Sequence, residues 1–175
     1  MRFYYGLDDI GQDVVIDKHV ANVMIIGSEN KRTQCFLSII DSCAYSLDTD
    51  YVLISESEEL LSKAEAHKSF NKNYSIAFEG FFGEMERRYK MFSEQNCITI
   101  DDYNTHGGNL KHLLILVDEL DVIRDRKNVL EKYAIPILQK GYAAGLHFVI
   151  GDRRKRNGYF SQAVKHNCQR IYEFE

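Results

Sequence analysis

The sequence predicts an α/β fold with a mostly parallel central sheet. Short apolar runs alternate with amphipathic stretches along the chain. The runs are continuously apolar, as in strands buried on both faces. Strand-like and helix-like segments follow one another, which implies βαβ units.

Val14–Ile16 is a short apolar run, and Val20–Ile26 is a second that ends at Gly27. Phe36, Ile39, Ile40, Cys43 and Leu47 recur at helical spacing, so Arg32 to Leu47 reads as a helix. Tyr51–Ile54 is a short buried strand. Glu56 to Lys68 is polar with Leu60, Leu61 and Ala64 on one face, the pattern of a surface helix. Ile76–Phe78 reads as a further short strand. Phe82, Met85, Tyr89 and Phe92 step by three and four, which predicts a helix over Gly80 to Gln95. His106-Gly107-Gly108 reads as a loop. His112–Val117 is an unbroken apolar strand. Leu130, Ala134, Ile137, Leu138 and Gly141 mark a helix that Pro136 must kink or restart. Leu146–Ile150 is a strand, Gly158 to His166 a short helix and Arg170–Phe174 a final strand.

Composition narrows the function. A chain of 175 residues fits one domain, here spanning 1–175. Its single proline argues against a flexible multi-domain string. Lys+Arg number 22 and Asp+Glu 26, a net charge of -4, which excludes a bulk basic surface for nucleic acid. No apolar run approaches the ~18 residues of a membrane span, and no apolar signal-peptide core lies near Met1 to Gly11. Cys35, Cys43, Cys97 and Cys168 form no C-x-x-C pair and read as small hydrophobes in a reducing compartment. The histidines at 19, 67, 106, 112, 147 and 166 show no ligand spacing, so no metal site is expected.

Parallel sheets bind ligands at the carboxyl ends of their strands. The first such end reads Ile26-Gly27-Ser28-Glu29-Asn30-Lys31-Arg32-Thr33-Gln34. This is the place of a phosphate-binding loop, G-x-x-x-x-G-K-[ST]. Gly27 supplies the first glycine. Arg32 stands for the second, Thr33 for the lysine and Gln34 for the Ser/Thr. A side chain at the second glycine crowds the backbone approach to phosphates. Losing the lysine's charge-assisted hydrogen bond costs about 1.5–3 kcal/mol. Glutamine replaces the small hydroxyl that holds Mg²⁺. Lys31 and Arg32 keep positive charge nearby but out of register, so the loop is expected to grip nucleotide weakly. The second end, Leu113-Leu114-Ile115-Leu116-Val117-Asp118-Glu119, has the Walker B pattern. Its aspartate would hold Mg²⁺-bound water and its glutamate would orient the attacking water. Acids that cap a following helix give the same string.

Together these pieces resemble the FtsK/SpoIIIE family of motor ATPases over nearly the whole chain. Tyr5 to Val14 resembles the segment leading into the family's first strands. Glu84-Met85-Glu86-Arg87-Arg88-Tyr89 followed by Asp102-Tyr103-Asn104 is similar to the family's E-M-E-R-R-Y…Y-N. By residue type, that helix places Met85 and Tyr89 in the core and Arg87 and Arg88 in solvent. Gln139 to Phe148 is similar to A-Q-K-G-R-A-A-G-I-H-L, with Tyr142 in place of the arginine. Gly151-Asp152-Arg153-Arg154-Lys155 stands where the family has A-T-Q-R-P, so Arg153 replaces a sensor-like glutamine. Lys165 to Ile171 is similar to I-K-x-N-x-x-x-R-I.

The resemblance implies a RecA-like P-loop NTPase three-layer fold. The branch most resembled is the degenerate C-terminal ATPase domain of EssC-type membrane ATPases of type VII secretion systems. It implies one FtsK/SpoIIIE-like domain excised from a larger multi-domain chain, on the cytoplasmic side of the cell membrane, with the fragment itself soluble. The implied role is non-catalytic: docking small helical secreted substrates through a C-terminal segment, or regulating other ATPase domains of the same chain, within an oligomeric machine. The candidate catalytic residues are Asp118 and Glu119. The candidate nucleotide-binding residues are Gly27, Lys31, Arg32, Thr33 and Gln34, with ATP and Mg²⁺ bound weakly or not at all. The alternatives are a live ATPase and a DNA translocase. The latter would use the basic run Arg153-Arg154-Lys155-Arg156, which the net charge of -4 favours reading as a solvated loop. No nucleic-acid partner is expected.

Overall fold

The computed structural model describes residues 2–7, 13–17, 19–64, 69–70, 74–119, 129–153 and 159–174. Six parallel strands form one sheet. In chain order they are β3 (Asn22–Ile26), β4 (Thr49–Ile54), β5 (Ser69–Phe70), β6 (His112–Val117), β7 (Leu146–Asp152) and β8 (Arg170–Glu173). Their spatial order is β5-β4-β6-β7-β3-β8. Strands β1 (Arg2–Leu7) and β2 (Asp13–Asp17) pair as a separate antiparallel hairpin, with a register shift between Tyr4 and Gly6. The apolar run at Val14–Ile16 belongs to β2. Its partner β1, with Phe3, Tyr4, Tyr5 and Leu7 among its six residues, is a strand the sequence reading did not single out.

Helices cover both faces of the sheet, so the parallel strands are buried on each side as their composition demands. Strand residues alternate between the two cores. Val23, Ile25, Leu114, Leu116 and Val149 pack with Phe36, Ile39 and Ile40 of α1 (Glu29–Ala44) and Leu60 of α2 (Glu58–Lys63). Met24, Ile26, Ile115, Val117, Phe148 and Ile150 face α3 (Tyr74–Glu94), α4 (Ile100–Thr105), α5 (Ile135–Lys140) and α6 (Tyr159–His166). A π-helical turn, Leu130–Ala134, passes directly into α5. Pro136 sits in the first turn of α5, where its missing N–H costs nothing, so the proline restarts the helix.

Three expectations are corrected. Ile76–Phe78 is not a strand but part of α3. Tyr74, Ala77, Phe78, Phe81 and Met85 form its buried stripe and Ile76 is exposed, so helical spacing outweighs a local apolar triplet. Helix α1 begins at Glu29 rather than Arg32. Arg88 is not solvated: it lies buried on α3, its Nε bonded to Glu84 Oε1 at 2.7 Å and its Nη1 to the Ala144 carbonyl at 2.8 Å. That contact ties α3 to the turn before β7. In this turn Gly145 has φ +77, and a Cβ there would lie 2.5 Å from Ile100 Cδ1. The helix expected over Glu56 to Lys68 is confined to α2 among the described residues, and residues 65–68 lie outside them.

Candidate functional site

The four central strands end side by side. Gly27 follows β3, Ser55 follows β4, Asp118 follows β6, and Asp152 closes β7 with Arg153 after it. The order β4-β6-β7-β3 therefore gathers both strand ends singled out from the sequence.

The connection after β3 is short. Ser28 is the N-cap of α1, and only Gly27 and Ser28 separate strand from helix. Asn30 to Gln34 are helical rather than wrapped as a loop, and the Arg32 N–H already bonds to the Ser28 carbonyl at 3.1 Å. Once the helix begins at Glu29, periodicity decides where side chains go. Arg32 precedes Phe36 by four positions and lies on the same inward stripe, with Ile39, Ile40 and Cys43. Arg32 is 1% exposed and Thr33 is buried, whereas Lys31 and Gln34 face outward.

The Arg32 guanidinium fills the space between the strand ends. Its Nη1 donates to the Gly27 carbonyl at 2.8 Å, its Nε to the Asp118 carbonyl at 3.3 Å and its Nη2 to Glu119 Oε2 at 2.7 Å. Arg153 Nε donates to the same Glu119 oxygen at 2.8 Å, from a side chain that stays largely exposed. One carboxylate is thus shared by two guanidiniums, one buried and one at the rim. Asp118 Oδ2 accepts from Ser55 Oγ at 2.9 Å. Asp118 Oδ1 is buried without a hydrogen-bond partner among the described residues. Burial raises the Asp118 carboxyl above its ordinary range, opposed by the Ser55 hydrogen bond and the Arg32 charge.

Gly151 makes room for this arrangement. A Cβ there would lie 2.0 Å from the Asp118 carbonyl oxygen and 3.1 Å from Arg32 Nε. The pattern resembled in sequence has a glycine at position 32 and an alanine at 151; this chain has Arg32 and Gly151. Gly27 is closed from the other side, where a Cβ would meet the Phe174 carbonyl oxygen at 2.9 Å.

The structure brings together Gly27, Arg32, Asp118, Glu119 and Arg153, and it leaves Lys31 and Gln34 outside. Ser55 had no motif to announce it, and the fully buried Asp152 was read only as part of the stretch that stands for A-T-Q-R-P, with Gly151 beside it. Arg32 did carry a signal: its offset of four from Phe36. Of the basic run, Arg153 pairs with Glu119, and residues 154–158 lie outside the described residues.

No protein-family model matches the chain. The DNA translocase SftA of Bacillus subtilis is 26% identical over 181 residues, covering 93% of this chain and 19% of that protein. The DNA translocase FtsK of Clostridium tetani is 26% identical over 186 residues, covering 95% of this chain and 25% of that protein. The chain therefore spans a quarter or less of these relatives. Among solved structures, EssC ATPases 2 and 3 from Geobacillus thermodenitrificans superpose with a TM-score of 0.74 at 19% identity, over 99% of this chain and 37% of that one. Thermomonospora curvata EccC ATPases 2 and 3, in complex with a signal sequence peptide, superpose with a TM-score of 0.69 at 18% identity, over 95% of this chain and 32% of that one. Sequence relatives and architecture converge: the chain is similar in sequence to FtsK-type DNA translocases and in fold to the EssC-type ATPase domains.

Proposed function

We propose that this is a catalytically inactive ATPase-like domain of a type VII protein secretion motor, acting in substrate docking or in regulation of adjacent ATPase domains. The Arg32 guanidinium carries the reading. It lies against Gly27, Asp118 and Glu119, where a nucleotide-binding relative would place phosphates, Mg²⁺ and the attacking water.

The residues present do not fit a magnesium triphosphate. The Gly27 carbonyl and the Glu119 carboxylate already serve Arg32. The backbone N–H groups that would cradle phosphates are, from Arg32 onward, committed to the helix. Thr33 offers no cation in place of the lysine. Lys31 points to solvent. The buried Asp118 Oδ1 would welcome a cation, and Arg32 lies beside it. The close fit of Gly151 against the Asp118 carbonyl and Arg32 Nε supports a settled arrangement rather than a damaged loop.

Calorimetric titration with Mg·ATP tests the proposal. No binding, or a Kd above about 100 µM, is expected, since the missing lysine alone removes roughly tenfold or more. Micromolar affinity would overturn it. The docking role is supported by the signal sequence peptide bound in the EccC structure. The parent chain would then carry further ATPase domains at the cytoplasmic face of a membrane, as part of an oligomer. Among the described residues, no helix is long and apolar enough to cross a membrane.

A second reading, a live translocase acting on protein or DNA, is favoured by the names of the sequence relatives and by Asp118-Glu119 at the Walker B position. It requires Mg²⁺-dependent turnover that Glu119→Gln abolishes.

A further inference from the structure

The turn between α3 and α4 brings three different metal-ligating side chains together, on the edge of the domain and apart from the strand-end site. Cys97 follows α3, Asp102 lies in the first turn of α4, and His106 is the residue that caps its end. One ligand atom from each lies within 4.8 Å of the other two. His106 Nδ1 is 3.3 Å from Asp102 Oδ1 and 3.8 Å from Cys97 Sγ. Bond lengths of about 2.0–2.1 Å to N and O and about 2.3 Å to S give tetrahedral edges of roughly 3.3 Å for N···O and 3.5 Å for N···S. The observed edges are those of a zinc coordination shell, the sulfur edge slightly open.

We propose that Cys97, Asp102 and His106 form a site for one borderline divalent cation of the Zn²⁺ type, with a water as fourth ligand. The donor set, one thiolate, one imidazole and one carboxylate, suits zinc rather than Mg²⁺ or Ca²⁺, which take oxygens. Two ligands are held in place before any metal arrives. Asp102 Oδ2 accepts from the Ile98 N–H at 3.0 Å while the Asp102 N–H donates to Thr99 Oγ1 at 3.1 Å, which turns Oδ1 toward His106. Cys97 is fixed by its N–H bond to the Phe92 carbonyl at 2.8 Å and by the preceding Asn96, whose φ of 55 closes the turn. His106 is the movable ligand, 62% exposed. A surface cavity of about 460 Å³, lined by Tyr89, Phe92, Ser93, Asn96, Cys97 and Ile98, adjoins the sulfur.

Two contacts oppose loading. His106 Nδ1 lies 2.9 Å from the Asp102 carbonyl oxygen, a hydrogen bond that must give way to the metal. The buried Cys97 thiol donates to the Gln95 carbonyl at 3.5 Å, and it must give up that bond and release its proton to solvent. The site links the end of α3 to α4, so the expected consequence of binding is a staple across that turn.

Titration of the full chain with Zn²⁺ alone, and with Co²⁺ followed by absorption, tests the proposal. One equivalent should bind and raise Tm, and Co²⁺ should show a thiolate charge-transfer band. His106→Ala, at an exposed position that the fold does not need, should weaken binding at least ~10-fold, and Cys97→Ser should also erase the band. Cys168→Ser should change neither. Zn²⁺ affinity weaker than about 100 µM, affinity unchanged in His106→Ala, or a band lost in Cys168→Ser but kept in Cys97→Ser would each overturn the proposal.

Discussion

The two ends of the sheet bury polar groups by opposite means. At the carboxyl ends, the buried acids Asp118, Glu119 and Asp152 share a pocket with the buried Arg32 and the rim residue Arg153. At the amino ends, His112 and His147 are buried side by side, and burial holds the His147 ring neutral. The Val20 carbonyl can only accept, so His147 Nδ1 carries the proton, and the two lie 3.1 Å apart. His147 Nε2 then accepts from His112 Nδ1 at 3.0 Å, and His112 Nε2 is turned toward Asp101 Oδ1, 3.6 Å away. At the carboxyl ends charge is kept, and the guanidiniums of Arg32 and Arg153 meet the Glu119 carboxylate. At the amino ends a hydrogen-bonded pair of imidazoles stands instead, with His147 kept uncharged by burial. The first end should therefore fail when one partner is removed, and the second when a proton is added.

Removing Arg32 should give the largest effect. Arg32→Met takes the buried guanidinium from Glu119, leaving the rim residue Arg153, and strips a hydrogen bond from two carbonyls. Breaking one side of a buried pair costs about 3–5 kcal/mol, which urea denaturation would read as a lowered midpoint. Adding Glu119→Gln removes the stranded charge, so the double variant should recover much of that loss. If the two single losses simply add, the residues are not coupled and the account of this end fails.

The histidine end should lose stability with acid. Burial, and then the neighbouring His112, push the His147 imidazole from 6.5 down to about 4. A base depressed on folding contributes stability that is complete above its ordinary value and lost as pH falls toward the folded one. Between about pH 6.5 and 4 this loss reaches on the order of 3 kcal/mol. Denaturation of the wild type across that window should show the decline, and His147→Gln, though less stable at pH 7, should flatten it. An unchanged acid limb in the variant would assign the decline to other groups.

The contrast also marks what the sequence could disclose. The parallel sheet was legible because β3, β6 and β7 are apolar on both faces, and both strand ends of the site followed from that. Side chains buried against their type were not legible. Arg32 and Arg88 look like solvated residues of amphipathic helices, and only the helix phase set by Phe36 or by Met85 and Phe92 sends them inward. That phase depends on where the helix starts, and the start of α1 at Glu29 rests on a connection of two residues rather than on any capping signal. Gly151 was invisible for a different reason. Its need arises from atoms of Asp118 and Arg32, distant in the chain and adjacent only across neighbouring strands.

The smallest effect sharpens the comparison most, because it carries a sign. Asp118 has its carboxyl raised above 3.8, chiefly by burial, so the fold favours its protonated form. A carboxyl raised on folding contributes stability below its ordinary value and loses it as pH rises through the folded one. Asp118→Asn keeps an acceptor for Ser55 and removes the charge. The variant should match the wild type near pH 4 and become the more stable of the two toward neutral pH, with a Tm difference that grows along the way. In a live magnesium site the same substitution would abolish stabilisation by Mg·ATP. Here Mg·ATP should shift the Tm of neither protein. A wild-type Tm that rises with Mg·ATP while that of Asp118→Asn does not would show that Arg32 yields its place to nucleotide, and the internally neutralised end would then be a resting state of a working one.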